Sequence, residues 1–171
     1  MFVLVVSIVA VFGLMVSCAP VTLLNTITPS GSYTLAKNVA YSDGNRQSMD
    51  IYKPDTPRAN APILLYIYGG SWDSGSKGMY KFLGENFASE GYTTVIADYR
   101  LYPEVTYPSF PRDTAAAVAK VSPLYPDRAI ILMGHSAGAH LSALVAAQGK
   151  ATGLRGIIPN DVQAYDLLAY A

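Results

Sequence analysis

The stretch AIILMGHSAGAHL, residues 129–141, decides how the chain folds. Its apolar run, Ile130–Met133, predicts a strand, and Gly134-His135-Ser136-Ala137-Gly138 predicts a tight turn. Ala137–Ala147 predicts a helix, with Ala137, Leu141, Leu144 and Val145 on one face. A serine centred in G-x-S-x-G between a strand and a helix has the setting of a nucleophile elbow. The glycines have a physical reason: so sharp a turn strains the serine backbone, and side chains two residues to either side would collide with the strand or the helix. The hydroxyl is pushed into the open at a helix N-terminus, where partial positive charge and unpaired N–H groups favour a developing oxyanion. Ser136 is therefore the candidate nucleophile, and the Ala137 amide a candidate oxyanion donor.

The flanking sequence alternates strand and helix. Ile63–Tyr68 (ILLYIY), bounded by Pro62 and Gly69-Gly70, reads as a strand buried on both faces, as in a parallel sheet. Gly69-Gly70-Ser71-Trp72 follows it directly. Glycines there let the backbone turn its amides toward the elbow, which makes Gly70 and Ser71 the other candidate oxyanion donors. Met79, Phe82, Leu83 and Phe87 recur at helical spacing and stop at Gly91; Thr93–Ala97 is the next buried strand. Arg112–Val121 reads as an Ala-rich helix with Pro111 near its first turn, and Arg155–Pro159 as a last short strand. Val39–Tyr52 reads as a hairpin turning at Asp43-Gly44. The expected class is α/β, a mostly parallel sheet flanked by helices.

Composition narrows the chemistry. Of 171 residues, 12 are Lys or Arg and 12 are Asp or Glu, so the formal charge is zero and nothing points to nucleic acid. Hydrophobic residues at 51% suffice for a buried core. The single cysteine, Cys18, excludes an intramolecular disulfide and a cysteine-built zinc site. Two histidines, His135 and His140, leave almost no material for a metal centre; neither a metal nor an organic cofactor is expected.

Residues 1–17 read as a signal peptide or anchor. Phe2–Val16 (FVLVVSIVAVFGLMV) is apolar, of signal-peptide length and short for a membrane span, and no charged side chain precedes Lys37. Met15-Val16-Ser17-Cys18 resembles a bacterial lipoprotein cleavage site, which would make Cys18 the acylated first residue; a basic n-region is missing and Met stands where Leu is usual. An uncleaved anchor running on to Leu24 is the other reading. Both put the chain at the bacterial cell envelope, lipid-anchored or membrane-tethered, or secreted. Residues 18–31 read as a linker, and 32–171 as the domain.

YGGSW at 68–72, DYRLYPE at 98–104 and GHSAGAH at 134–140 together resemble the carboxylesterase branch of the α/β-hydrolase fold that is related to hormone-sensitive lipase and bacterial feruloyl-type esterases. TPSGSYT at 28–34 and SMDIYKP at 48–54 resemble the N-terminal strands of its envelope-anchored members. The resemblance implies a small-molecule ester substrate, Ser136 as nucleophile, and Gly70, Ser71 and Ala137 as the oxyanion hole. Tyr68 stands where the branch often has His. Asp98 and Arg100 are expected to pair or to brace their loop, Trp72 to line an acyl pocket or to pack, and Asp113 to sit in the first turn of its helix.

The triad is incomplete. In this fold the acid and then the base follow the serine, yet no histidine follows His140. His135 is expected to point away from the hydroxyl, and His140 to pack on the helix below it. Neither Asp161 nor Asp166 is taken as the acid. The expectation is a chain clipped after the sixth family strand, weakly active or inactive alone, with residues 155–159 as an exposed apolar edge. The alternative is a non-catalytic envelope lipoprotein that uses a degenerate hydrolase fold for binding.

Overall fold

The computed structural model describes residues 19–149 and 151–162. The signal or anchor segment, Cys18 and Asp166 lie outside the described residues. The elements in order are α1 (Ala19–Ile27), β1 (Tyr33–Ala40), β2 (Ser48–Pro54), β3 (Ile63–Ile67), α2 (Lys81–Ser89), β4 (Thr94–Ala97), α3 (Ser109–Val121), β5 (Ile130–His135), α4 (Ala137–Ala147) and β6 (Leu154–Asn160). Short 3-10 turns precede α2 at Lys77–Tyr80 and follow α3 at Ser122–Leu124.

Six strands form one mixed sheet in the order β1-β2-β4-β3-β5-β6. β1, β2 and β4 are joined by antiparallel pairings, whereas β4-β3, β3-β5 and β5-β6 are parallel. The α/β expectation holds, with the hairpin added as an antiparallel edge. That hairpin begins at Tyr33, earlier than its apolar alternation suggests, because β1 is half-exposed and carries Lys37 and Asn38 outward.

Every residue of β3 and β4 is buried, as continuous apolar runs covered on both faces require. Leu65 and Ile67 on β3, Leu132 on β5 and Leu141 on α4 are at most 1% exposed, each contributing about 1.5–3 kcal/mol as an upper estimate. This core fixes the C-terminal ends of β3 and β5 side by side, with Ile67 opposite Gly134.

Three local expectations need correction. The stretch read as a linker contains α1. The Ala-rich helix starts at Ser109, so Asp113 is beyond its first turn; its carboxylate is turned onto Arg100 and Gln47 instead of the helix dipole. On α2 the buried residues are Gly84, Glu85 and Ala88, not the apolar stripe. A Cβ on Gly84 would come within 2.7 Å of the Tyr52 ring, so the glycine lets α2 settle on β2 along that side and leaves Phe82, Leu83 and Phe87 half-buried.

Candidate active site

Ser136 caps the N-terminus of α4 with φ 51° and ψ −121°, a strained backbone for a residue other than glycine. Two main-chain bonds hold it there. Its N–H donates to the Asn160 carbonyl at 3.0 Å, and its carbonyl accepts the His140 N–H at 3.0 Å. Both flanking glycines are required. A Cβ on Gly134 would run into the Gly138 carbonyl, and one on Gly138 into the carbonyl of Ile67. The side chain of Ser136 is half-exposed. Among the described residues, no side chain or backbone group hydrogen bonds its hydroxyl.

The Gly-rich loop after β3 comes directly against this turn. A Cβ on Gly69 would stand 3.0 Å from Ser136 Cβ and 2.9 Å from the His135 carbonyl. Gly70, Ser71 and Trp72 then take φ of 116°, 49° and 62°, three left-handed residues in succession. This turns the Gly70 carbonyl back to accept from the Asp73 and Ser74 amides at 3.0 and 3.1 Å. The Gly70 and Ser71 amides donate to no acceptor among the described residues. Ala137, 3% exposed, opens α4 on the other side of Ser136. The structure thus brings Ser136, Ala137 and the Gly69–Trp72 loop together, as the sequence predicts.

The DYRLYPE segment fastens that loop. Tyr102 N–H donates to the Trp72 carbonyl at 2.8 Å, and Tyr99 Oη donates to the Tyr68 carbonyl at 3.3 Å. Asp98 and Arg100 do not pair with each other. Asp98 accepts from Tyr68 Oη at 2.8 Å and from Lys77 Nζ at 3.0 Å, and Arg100 clasps Asp113. Burial, with Asp98 adding to it, raises the Tyr68 pKa, so the phenol stays protonated and donates. Arg46 bonds Tyr68 Oη at 2.8 Å and the Gly75 carbonyl at 2.7 Å, gripping both ends of the loop from the β1–β2 turn. Nothing in the sequence marks Arg46, whose partners lie 22 and 29 residues away.

Beside the turn lies a cleft of about 260 Å³ lined by Trp72, Tyr107, Phe110, His140, Leu141 and Leu144. Trp72 lines the cleft and packs against the edge of the core. Its ring meets His140 edge-on, with centroids 5.7 Å apart. His140 is 8% exposed, and burial lowers its pKa, which keeps the imidazole neutral. His135 points outward, with Nε2 3.9 Å from Asp161 Oδ2. The described residues gather no group of three His, Cys, Asp or Glu suited to a metal ion.

Residues 49–166 match the BD-FAE family. The chain is 30% identical over 131 residues to a probable isoprenylcysteine alpha-carbonyl methylesterase of Oryza sativa subsp. japonica, covering 73% of this chain and 31% of that protein. It is 33% identical over 119 residues to the esterase LipC of Mycobacterium tuberculosis, covering 66% and 30%. The fold superimposes on esterase B from Lactobacillus rhamnosis with a TM-score of 0.69 at 23% identity, covering 92% of this chain and 55% of that one. The chain thus spans about a third of these curated relatives and about half of the solved esterase. The superposition gives the α/β-hydrolase fold, and a family match running from β2 past β6 gives the family: the chain belongs to the BD-FAE family.

Proposed function

We propose that this chain carries the nucleophile and oxyanion hole of a serine carboxylic ester hydrolase. The observation that carries the reading is the strained, half-exposed Ser136 set between the α4 N-terminus and the 69–72 loop, whose Gly70 and Ser71 amides are unpaired among the described residues. The Ser136 hydroxyl loses its proton as Oγ bonds to the ester carbonyl carbon, and the carbonyl π pair moves onto oxygen. The Ala137, Gly70 and Ser71 amides stabilise that charge. Collapse re-forms the carbonyl and expels the alkoxide, which takes a proton to leave as the alcohol; water then cleaves the acyl-enzyme to the acid and frees the Ser136 hydroxyl.

The cleft beside Trp72 takes the apolar part of a small, uncharged ester. At about 260 Å³ it exceeds the roughly 150 Å³ that holds a benzene ring, so a short acyl or aryl group fits. Charged groups would lose their hydration there without a partner of opposite sign. No base is within hydrogen-bond reach of Ser136 among the described residues, so water receives the first proton. The 171-residue chain is then left with oxyanion and binding contributions, about 10³–10⁴ over water. A tether to the cell envelope through the Phe2–Val16 run or a lipid on Cys18 belongs to the same proposal.

The test is turnover of a short-chain aryl ester by the purified chain. Slow hydrolysis abolished by Ser136→Ala is the expected result. Hydrolysis unchanged by that substitution removes the serine assignment, and hydrolysis at the rate of a complete triad means a base acts on Ser136 that the geometry does not display.

A further inference from the structure

The helix α1 sits on the domain with its polar side inward. Asn25 Nδ2 donates to the Gly78 carbonyl at 3.1 Å, and Asn25 Oδ1 accepts the Phe82 N–H at 3.1 Å. Lys81 Nζ donates to the Thr28 carbonyl at 2.8 Å, just past the helix end. At 100° per residue, Leu23, Leu24 and Ile27 occupy one arc on the side away from Asn25. They are 61%, 40% and 68% exposed. An amphipathic helix on a water-soluble surface points the other way, apolar stripe to the core. The groove between α1 and α2 widens the apolar surface, adding Pro29, Phe82 and Phe87 beside Leu24.

What covers this face follows from the chain leading into it. Phe2–Val16 is uninterrupted by charge, and no charged side chain occurs before Lys37. From Val16 to Ala19 the backbone spans at most about 11 Å. If Phe2–Val16 enters a bilayer, α1 cannot leave its surface; if Cys18 is acylated instead, α1 starts at the very next residue. Interfacial helices bury their apolar side about 5–10 Å into the headgroup and acyl boundary.

We propose that α1 is an interfacial helix that lays Leu23, Leu24 and Ile27 into the lipid surface, so that the domain is held against the membrane by one defined face and not merely leashed to it. This rests on the tether in the proposed function and is independent of the ester chemistry. The lipid contact is apolar, because α1 carries no charge to attract anionic headgroups. Asn25 on α1 and Thr28 just after it are bonded to Gly78, Lys81 and Phe82 where α2 begins, so the orientation of the sheet relative to the bilayer is fixed as well.

The experiment uses the full 171-residue chain with Cys18→Ser and a nitroxide at Leu23→Cys, Ile27→Cys or Lys120→Cys. Lys120 is an exposed residue of α3, a helix that packs against α4. Collision with a water-soluble nickel chelate is measured with and without phosphatidylcholine vesicles, and vesicle flotation is scored separately. The expected result is flotation, a several-fold fall in nickel collision at 23 and 27 on adding vesicles, no change at 120, and no weakening in high salt. Flotation with 23 and 27 still open to nickel overturns the interfacial helix and leaves the tether standing. No flotation overturns the interfacial helix together with the tether through Phe2–Val16, the one tether that the Cys18→Ser chain retains. Shielding at 23 and 27 before vesicles are added also overturns it, since the face is then covered by the chain itself or by a second copy.

Discussion

The Arg100 guanidinium clasps the Asp113 carboxylate at 2.9 and 2.7 Å, and the Arg100 main-chain N–H adds a third bond at 3.0 Å. The two side chains are unequally buried, 28% and 2% exposed. That asymmetry sets an order. Arg100→Ala strands a buried carboxylate with only Gln47 and one backbone amide, and costs about 3 kcal/mol. Asp113→Ala leaves a guanidinium that water can reach, and costs about 2 kcal/mol. Urea unfolding of the two variants checks this; a larger loss for Asp113→Ala contradicts it.

Gly69→Ala tests how close the loop lies to the serine. Its Cβ would meet Ser136 Cβ at 3.0 Å and the His135 carbonyl at 2.9 Å, on backbone that the Ser136 main-chain bonds to Asn160 and His140 hold. The loop must back away from Ser136. A stability loss of about 1–3 kcal/mol is expected, together with loss of the residual ester turnover. A variant with wild-type turnover means the loop does not serve Ser136.

His140 makes stability pH-dependent near neutrality. Burial lowers its folded pKa below 6.5, so in the window just under 6.5 the unfolded chain binds the proton and the folded chain does not. Stability therefore is fully present above pH 6.5 and falls as pH drops toward the folded pKa. His140→Gln removes that slope. Unfolding midpoints between about pH 5 and 7.5, measured for both proteins, read it directly; identical slopes contradict it.

The β6 strand ends the sheet among the described residues, and Ile158 on it is 51% exposed. An unpaired apolar edge recruits other chains. Ile158→Lys is expected to slow the growth of light scattering on warming without lowering the unfolding free energy by more than about 0.5 kcal/mol. Faster aggregation of the variant places the sticky surface elsewhere.

Much of this was legible beforehand, for physical reasons that differ from place to place. β3, β5 and α4 follow from uninterrupted apolar runs and from glycines that only one kind of turn needs. The meeting of the 69–72 loop with Ser136 follows from their shared position at the ends of adjacent parallel strands. What the sequence did not display is tertiary. Arg46 reaches Tyr68 and Gly75 across the hairpin turn, and no local pattern encodes so distant a grip. Asp98 and Arg100, two apart, could pair or brace their loop; they brace it, each through a partner far along the chain, Lys77 and Asp113. The α2 stripe misled because one glycine over Tyr52 outweighs three larger apolar residues in choosing the buried side. Of helix α1, the anchor reading reached as far as Leu24, while the linker reading missed it; that its apolar residues face outward is a tertiary fact the pattern does not carry.

The most direct measurement is intact-mass and peptide mapping of the chain after incubation with an alkyl fluorophosphonate, which reacts with a serine oxygen held opposite oxyanion donors. One adduct per chain, located on Ser136, formed slowly and absent from Ser136→Ala, is the predicted result. An unmodified chain, or an adduct that persists in Ser136→Ala, contradicts the nucleophile and with it the ester hydrolase reading.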